Sequence, residues 1–365
     1  MVKKIRQIFL LFICVSLVVA VMLPAYAQGE AQNEKLQCIS YRGDTAVYPA
    51  NSKQAVLSAF SKGADYVSVN IRKNDSGDLV LCSENELQVE GVALKEILSL
   101  IDEKILILDF EDNLREDVYE LLRSENALSK AYMRIKDSAD DIIEWISSKE
   151  QAPKVIGVSS SFNIFTVCSF VRKLDSLPAI QLQSKNYFNV MYGSLCYRLY
   201  RDNVIAPMYA PDLCGQRSDS EDGWNDLIKK NFTIIETNNI DAFVAYKKNA
   251  EAMTERLGAL LNKAQEINLQ EYSLVSRENL SDAMETAELM LDGASSCDEL
   301  QSAYSALLLS VNNLTLKHGE DTQKGALNIT AGKVIAAVLV GTAILAAQIY
   351  MYKMQKNNKS DKRRK

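Results

Sequence analysis

Between residues 37 and 248, short apolar runs alternate with stretches of helical periodicity, and this alternation constrains the fold more than any other feature. The expected strands are Leu36–Tyr41, Tyr66–Ile71, Ile105–Phe110, Val155–Val158, Ala179–Leu182, Val204–Met208 and Phe232–Ile235, with Met133–Ile135 as a weaker eighth. Helical patterns at Ser52–Lys62, Arg115–Arg123, Ile164–Leu174 and Trp224–Lys230 fall between them. Strands alternating with helices indicate a parallel sheet covered on its outside. Eight such units over about 200 residues fit a (β/α)8 barrel of the TIM type. An open doubly wound sheet satisfies the same periodicity.

Residues 250–317 change character, with Ala and Leu recurring at helical spacing. One stripe holds Met253, Leu257, Leu260, Leu261, Ala264 and Ile267; a second holds Leu280, Ala283, Ala287 and Leu291. A third holds Leu300, Ala303, Leu307, Val311 and Leu314, and Ser296 with Glu299 forms a capping box ahead of it. Each stripe needs a partner face, which predicts a small three-helix bundle.

Two longer apolar runs flank this part. The first follows Lys3, Lys4 and Arg6, extends from Ile8 to Leu23 and ends at Ala25-Tyr26-Ala27. That is the plan of a secretory signal peptide over residues 1–27, cut before Gln28, although an uncleaved anchor has a similar pattern. The second, Val334–Tyr352, suits one membrane-spanning helix, and the basic tail Lys353–Lys365 marks the cytoplasmic side. Residues 28–36 and 318–333 read as linkers. The chain is thus expected to sit in a cell membrane by one C-terminal helix, with the barrel and bundle outside.

The net charge of −6 conceals an asymmetry. Without Lys3, Lys4, Arg6 and the tail, whose seven cations face one aspartate, about −15 remains. Such a surface repels nucleic acid, so no nucleic-acid partner is expected. The cysteines of the secreted part (Cys38, Cys82, Cys168, Cys196, Cys214 and Cys297) show no metal-ligand spacing. An oxidising exterior permits disulfides, with a pairing the sequence leaves open.

Ile39-Ser40-Tyr41-Arg42-Gly43, followed by Tyr48-Pro49-Ala50-Asn51-Ser52, resembles the opening of the glycerophosphodiester phosphodiesterase family. That family places His-Arg-Gly at the end of a strand and Pro-Glu-Asn-Thr at the start of a helix. Further pieces follow in the family's order: Ser58 to Asp65, the hairpin Asn74 to Leu81, Ser160-Ser161-Phe162-Asn163, and Gly223-Trp224 through Thr233 to Asn238. The resemblance covers roughly residues 37–248 and implies the barrel in preference to the open sheet. Tyr272, Ser273 and Ser276 ahead of the second helical stripe resemble the FIVAR module of bacterial surface proteins. That likeness implies a surface role of Gram-positive type; a plain spacer bundle fits the same stripes.

The resemblance also allows a check of each site position. The family uses two histidines for proton transfer and a divalent cation to hold the phosphodiester. Here the catalytic positions fall on Tyr41, Arg42 and Ser83, and the one histidine of the chain is the distant His318. A phenol near pKa ~10 is a poor base at neutral pH. The metal-ligand positions fall on Ala50, Ser68, Asn70 and Asp109, so Asp109 alone keeps a carboxylate. The family's lysine two residues further on becomes Glu111, and Glu84 follows Ser83. Arg42, Asn51, Asp109 and Glu111 remain as possible ligand-binding residues, with Arg42 alternatively paired to Asp109 or Glu84. Asp109 and Glu111 offer a carboxylate pair for acid–base work, or two halves of salt bridges. Ser159-Ser160-Ser161 has no histidine partner for nucleophilic catalysis.

These positions lead to the expectation of a non-catalytic, phosphodiesterase-like surface protein that binds an unidentified ligand or protein and uses no cofactor. The alternatives are an active phosphodiester hydrolase of lipid metabolism with an altered site, requiring calcium or magnesium, and a structural scaffold.

Overall fold

Each apolar strand run finds parallel neighbours, and the last strand closes onto the first. The computed structural model describes residues 36–82, 91–159, 164–182, 204–206 and 219–317. The expected signal peptide, membrane span and tail lie outside the described residues, as do Ser83, Glu84 and residues 160–163. No helix among the described residues is long and apolar enough to cross a membrane.

The barrel strands are β1 (Gln37–Tyr41), β2 (Tyr66–Lys73), β5 (Ile105–Asp109), β6 (Ala131–Ile135), β7 (Lys154–Ser159), β8 (Ala179–Leu182), β9 (Val204–Ala206) and β10 (Ile234–Thr237). Two short strands, β3 (Leu79–Leu81) and β4 (Val92–Ala93), extend β2 in antiparallel fashion. β1 pairs with β10 through Ile39↔Glu236 and with β2 through Tyr41↔Ser68. This double pairing closes eight parallel strands into a barrel and excludes the open sheet. The weak eighth strand is real and begins two residues earlier than expected, at Ala131.

The helices between the strands are α1 (Lys53–Lys62), α2 (Leu94–Leu100), α3 (Arg115–Ser124), α4 (Ala139–Ser147), α5 (Ile164–Lys173) and α6 (Glu221–Lys229). Ser52 caps α1, its side chain accepting from the Ala55 N–H. Val56 and Ala59 of α1, Val118 and Leu122 of α3, and Val67 and Val69 of β2 belong to one buried cluster between helices and sheet.

Strand alternation sends the other residues inward. Ile39, Ile107, Ile156, Ala179, Ile205 and Ile234 fill a middle tier, with Tyr66 and Tyr132 packed against it on the side where the strands begin. Two residues further along the strands stand Ser68, Arg134, Gln181 and Glu236, all buried and all polar. The barrel is thus apolar in its middle and polar towards the strand ends, where (β/α)8 proteins carry their sites.

The chain then continues into α7 (Ile240–Gln265), α8 (Leu274–Leu291) and α9 (Cys297–Asn312), whose three predicted stripes meet in a second apolar core. The capping box at Ser296 and Glu299 is formed. The expected break at 248–250 falls inside α7, so one helix of 26 residues serves both cores. Trp224, Phe243 and Tyr246 pack together at the junction, with ring centroids 4.9–6.0 Å apart. The Tyr246 hydroxyl donates to Asn225 Oδ1 at 2.7 Å and accepts from the Cys297 N–H at 3.1 Å. Cys38, Cys82 and Cys297 carry thiols outside any disulfide, whereas Cys168 is disulfide-bonded.

Candidate functional site

The loop that follows β1 is shaped by two residues in the left-handed region, Arg42 at φ +61° and Asn51 at φ +60°. For arginine this conformation costs about 1 kcal/mol, so the surrounding bonds must hold it. The Arg42 N–H donates to the Ser68 carbonyl at 2.8 Å, and the Arg42 carbonyl accepts from the Asn51 N–H at 2.9 Å. Gly43 between them has φ +85°, and a Cβ there would lie 2.6 Å from the Ala55 backbone. No other residue fits beside α1.

Asn51 is buried and uses both ends of its amide. Its Nδ2 donates to the Cys82 carbonyl and its Oδ1 accepts from the Asn70 N–H, each at 3.0 Å. It therefore ties the loop to β2 and to the end of β3. Ala50, beside it, is half-buried and adds no polar group. The Arg42 guanidinium lies over the Tyr41 ring, 4.6 Å from its centroid. A cation on an aromatic face is attracted by the ring quadrupole, so the pair forms one amphipathic plate at the barrel mouth.

The inner face carries the remaining positions. Ser68 and Asn70 are buried on β2, and Asn70 is in register with Asp109 on β5. The Ser68 hydroxyl and Gln181 Oε1 are buried without a hydrogen-bond partner among the described residues. Asp109 faces two cations: Arg134 Nη1 at 3.4 Å and Lys136 Nζ at 3.3 Å. Arg134 reaches across the barrel with its other nitrogen to Glu236 Oε1 at 2.7 Å. The side chains of Arg134 and Glu236 are each 3 % exposed, so this is a buried, charge-compensated pair. Burial opposes the charge on Arg134, but Glu236 and Asp109 outweigh it and hold the guanidinium above its ordinary pKa. Glu111 lies outside this network, exposed and paired with Arg72 at 3.0 Å. Among the described residues no ion pair joins Arg42 to Asp109, Glu84 lies outside them, and Asp109 and Glu111 each belong to a separate salt bridge.

Three residues of this network, Arg134, Lys136 and Glu236, had no role in the sequence reading. One signal for Arg134 was present: it alternates with Tyr132 on β6 and with Lys136 just beyond the strand, an unusual charge density for the end of a barrel strand. Its partner Glu236 is 102 residues away, and no local pattern announces the pairing.

The residue types decide what the arrangement holds. A hard cation takes six or more oxygen ligands, with carboxylates supplying most of the affinity. Among the described residues β2 offers a hydroxyl and an amide, and the inward carboxylates of Asp109 and Glu236 are already bound to a guanidinium. Calcium or magnesium does not fit this set. No group of metal-binding side chains occurs among the described residues. For acid–base work the described residues include no histidine, and an ion-paired arginine keeps its proton.

Similar chain courses occur in solved structures of glycerophosphodiester phosphodiesterases. One from Thermotoga maritima is 15% identical with a TM-score of 0.44, covering 59% of this chain and 99% of that one. One from Parabacteroides distasonis is 13% identical with a TM-score of 0.47, covering 63% and 90%. An Oleispira antarctica phosphodiesterase in complex with sn-glycerol-3-phosphate is 12% identical with a TM-score of 0.43, covering 58% and 96%. No family model and no curated protein matches the chain.

Proposed function

We propose that this protein is a membrane-anchored, extracytoplasmic barrel of glycerophosphodiester phosphodiesterase type that does not hydrolyse phosphodiesters and acts by binding or presenting a partner at the cell surface. The observation that carries this reading is Arg134, buried between Glu236 and Asp109 where the resemblance calls for a divalent cation. A permanently charged group joined to the chain satisfies the inward carboxylates, so a mobile ion has neither the charge nor the space it requires. The substitutions at Tyr41, Ser83, Ser68 and Asn70 point the same way. Each lost proton-transfer group removes about 10²–10⁴-fold in rate. The FIVAR-like bundle then serves as a stalk and Val334–Tyr352 as the anchor.

The test is a turnover assay of the purified protein on glycerophosphocholine with calcium or magnesium at neutral pH. No turnover above the uncatalysed rate is expected. Clear hydrolysis, abolished by Asp109→Ala, would instead establish an altered hydrolase.

A further inference from the structure

The barrel interior is not completely filled. Beneath the polar tier, on the side where the strands begin, a cavity of about 220 Å³ is bounded by the five isoleucines of the middle tier and Ala179, with Gln37, Tyr66 and Tyr132 at its rim. Its origin is readable in the side chains. Ala179 on β8 occupies a level at which its neighbours in the tier carry isoleucine. Tyr66 and Tyr132 meet edge to face, with ring centroids 5.9 Å apart. Lys154 holds Tyr132 there, with its Nζ 5.4 Å from the ring centroid while donating to the Ser129 carbonyl. Both tyrosines are thereby gathered together, and the space beside them is left open.

We propose that this cavity is a binding site for a small neutral amphiphile, one whose apolar group of about six to eight carbons enters the barrel and whose single hydroxyl stays at the tyrosine rim. Three features select that chemistry. An engineered cavity of about 150 Å³ walled by aliphatic and aromatic side chains stays dry and takes up benzene. The space here is somewhat larger and opens between polar groups, so its isoleucine walls suit a substituted ring or a short alkyl chain that keeps a polar end outward. The rim offers hydrogen bonding at one end only: Gln37 engages the Tyr66 hydroxyl, and the Tyr132 hydroxyl has no protein partner among the described residues. Burial pushes both phenols upward, so their hydroxyls stay neutral, and Lys154, the cation beside them, is engaged by the Ser129 carbonyl and the Tyr132 ring. The isoleucine tier separates this space from Arg134 and Glu236, so the assignment stands apart from any role of the polar mouth.

The probe is para-cresol, with toluene as the comparator that lacks a hydroxyl, added to the full-length protein in detergent-free nanodiscs. Saturation-transfer NMR and thermal melting should report saturable binding of para-cresol by the wild type. Ala179→Leu fills the space and should weaken binding at least ~10-fold. Ala179→Val, a smaller filling, provides the same test if the leucine variant does not fold. Tyr132→Phe should remove the preference for para-cresol over toluene while leaving toluene binding intact. Absence of saturable binding to the wild type overturns the proposal, and so does unchanged affinity in a folded filling variant. A loss in Arg134→Met equal to that in the filling variants would move the site to the polar mouth.

Discussion

The two halves of the barrel interior are built by the same eight strands, yet they are stabilised by opposite means. In the middle tier, isoleucines exclude water and stabilise by burial, a diffuse effect that tolerates a void. In the upper tier, Arg134 lies between two carboxylates, and the arrangement is stable only while every charge has its partner. The lower half thus loses stability in proportion to the apolar area a missing side chain no longer buries, whereas the upper half depends on one particular side chain.

Several measurements would break or sharpen that contrast. Arg134→Met should have the largest effect, because it strands Glu236 in a dry interior: about 3–5 kcal/mol in denaturant unfolding. It should also uncover an acidic cup, so that millimolar calcium raises the stability of the variant and leaves the wild type unchanged. If calcium stabilises both alike, the guanidinium does not stand where a cation would bind. Adding Glu236→Gln should recover most of the loss, since Asp109 keeps Lys136 as its partner and Ser68 and Gln181 are neutral. Introducing the residues of the resembled phosphodiesterases at Tyr41, Ala50, Ser68, Asn70, Ser83 and Glu111 should not yield calcium binding until Arg134 is also replaced.

Ile107→Ala, on the same strand as Asp109, should cost about 2–4 kcal/mol and enlarge the void beneath. Calcium should not rescue it; a calcium response would show that the two tiers are coupled.

Acid provides a smaller effect. Burial raises the pKa of Asp44, just after β1, but Lys62 and Ser58 outweigh this and hold it below its ordinary 3.8. A depressed carboxyl contributes stability that is complete above the unfolded value and lost as pH falls through the folded one. Lowering pH from about 5 to about 3 should therefore speed amide exchange around Asp44 before the isoleucine strands respond. Uniform exchange across the barrel would contradict this order. Least of all, Glu111→Ala should change stability by less than about 1 kcal/mol, because its bridge to Arg72 is exposed.

Most of the architecture was legible in the sequence, because parallel barrels and helical bundles both rest on periodicity. The strand starting at Ala179 and the helix ending at Lys62 stand where the pattern put them. The choice of barrel over open sheet was not available from periodicity, since it depends on β1 pairing on both its edges. Asn51 illustrates the limit within the site: its type and position were visible, but not that both ends of its amide are occupied. Arg134 illustrates it more sharply. Alternation tells which face a residue occupies and is silent about what stands opposite, and Glu236 stands opposite only because the strands close into a ring.

One consequence of α7 concerns force. The helix is about 39 Å long at 1.5 Å per residue, and its two ends are embedded in different cores. It behaves as a strut: tension applied beyond α9 reaches the barrel as shear along the Trp224–Phe243–Tyr246 packing. Under such a load the connection between the two cores runs through the cluster that joins α6, α7 and the start of α9. Pulled from its C-terminal side, the molecule should therefore yield first at this seam, with the bundle peeling away before the closed ring of strands is disturbed.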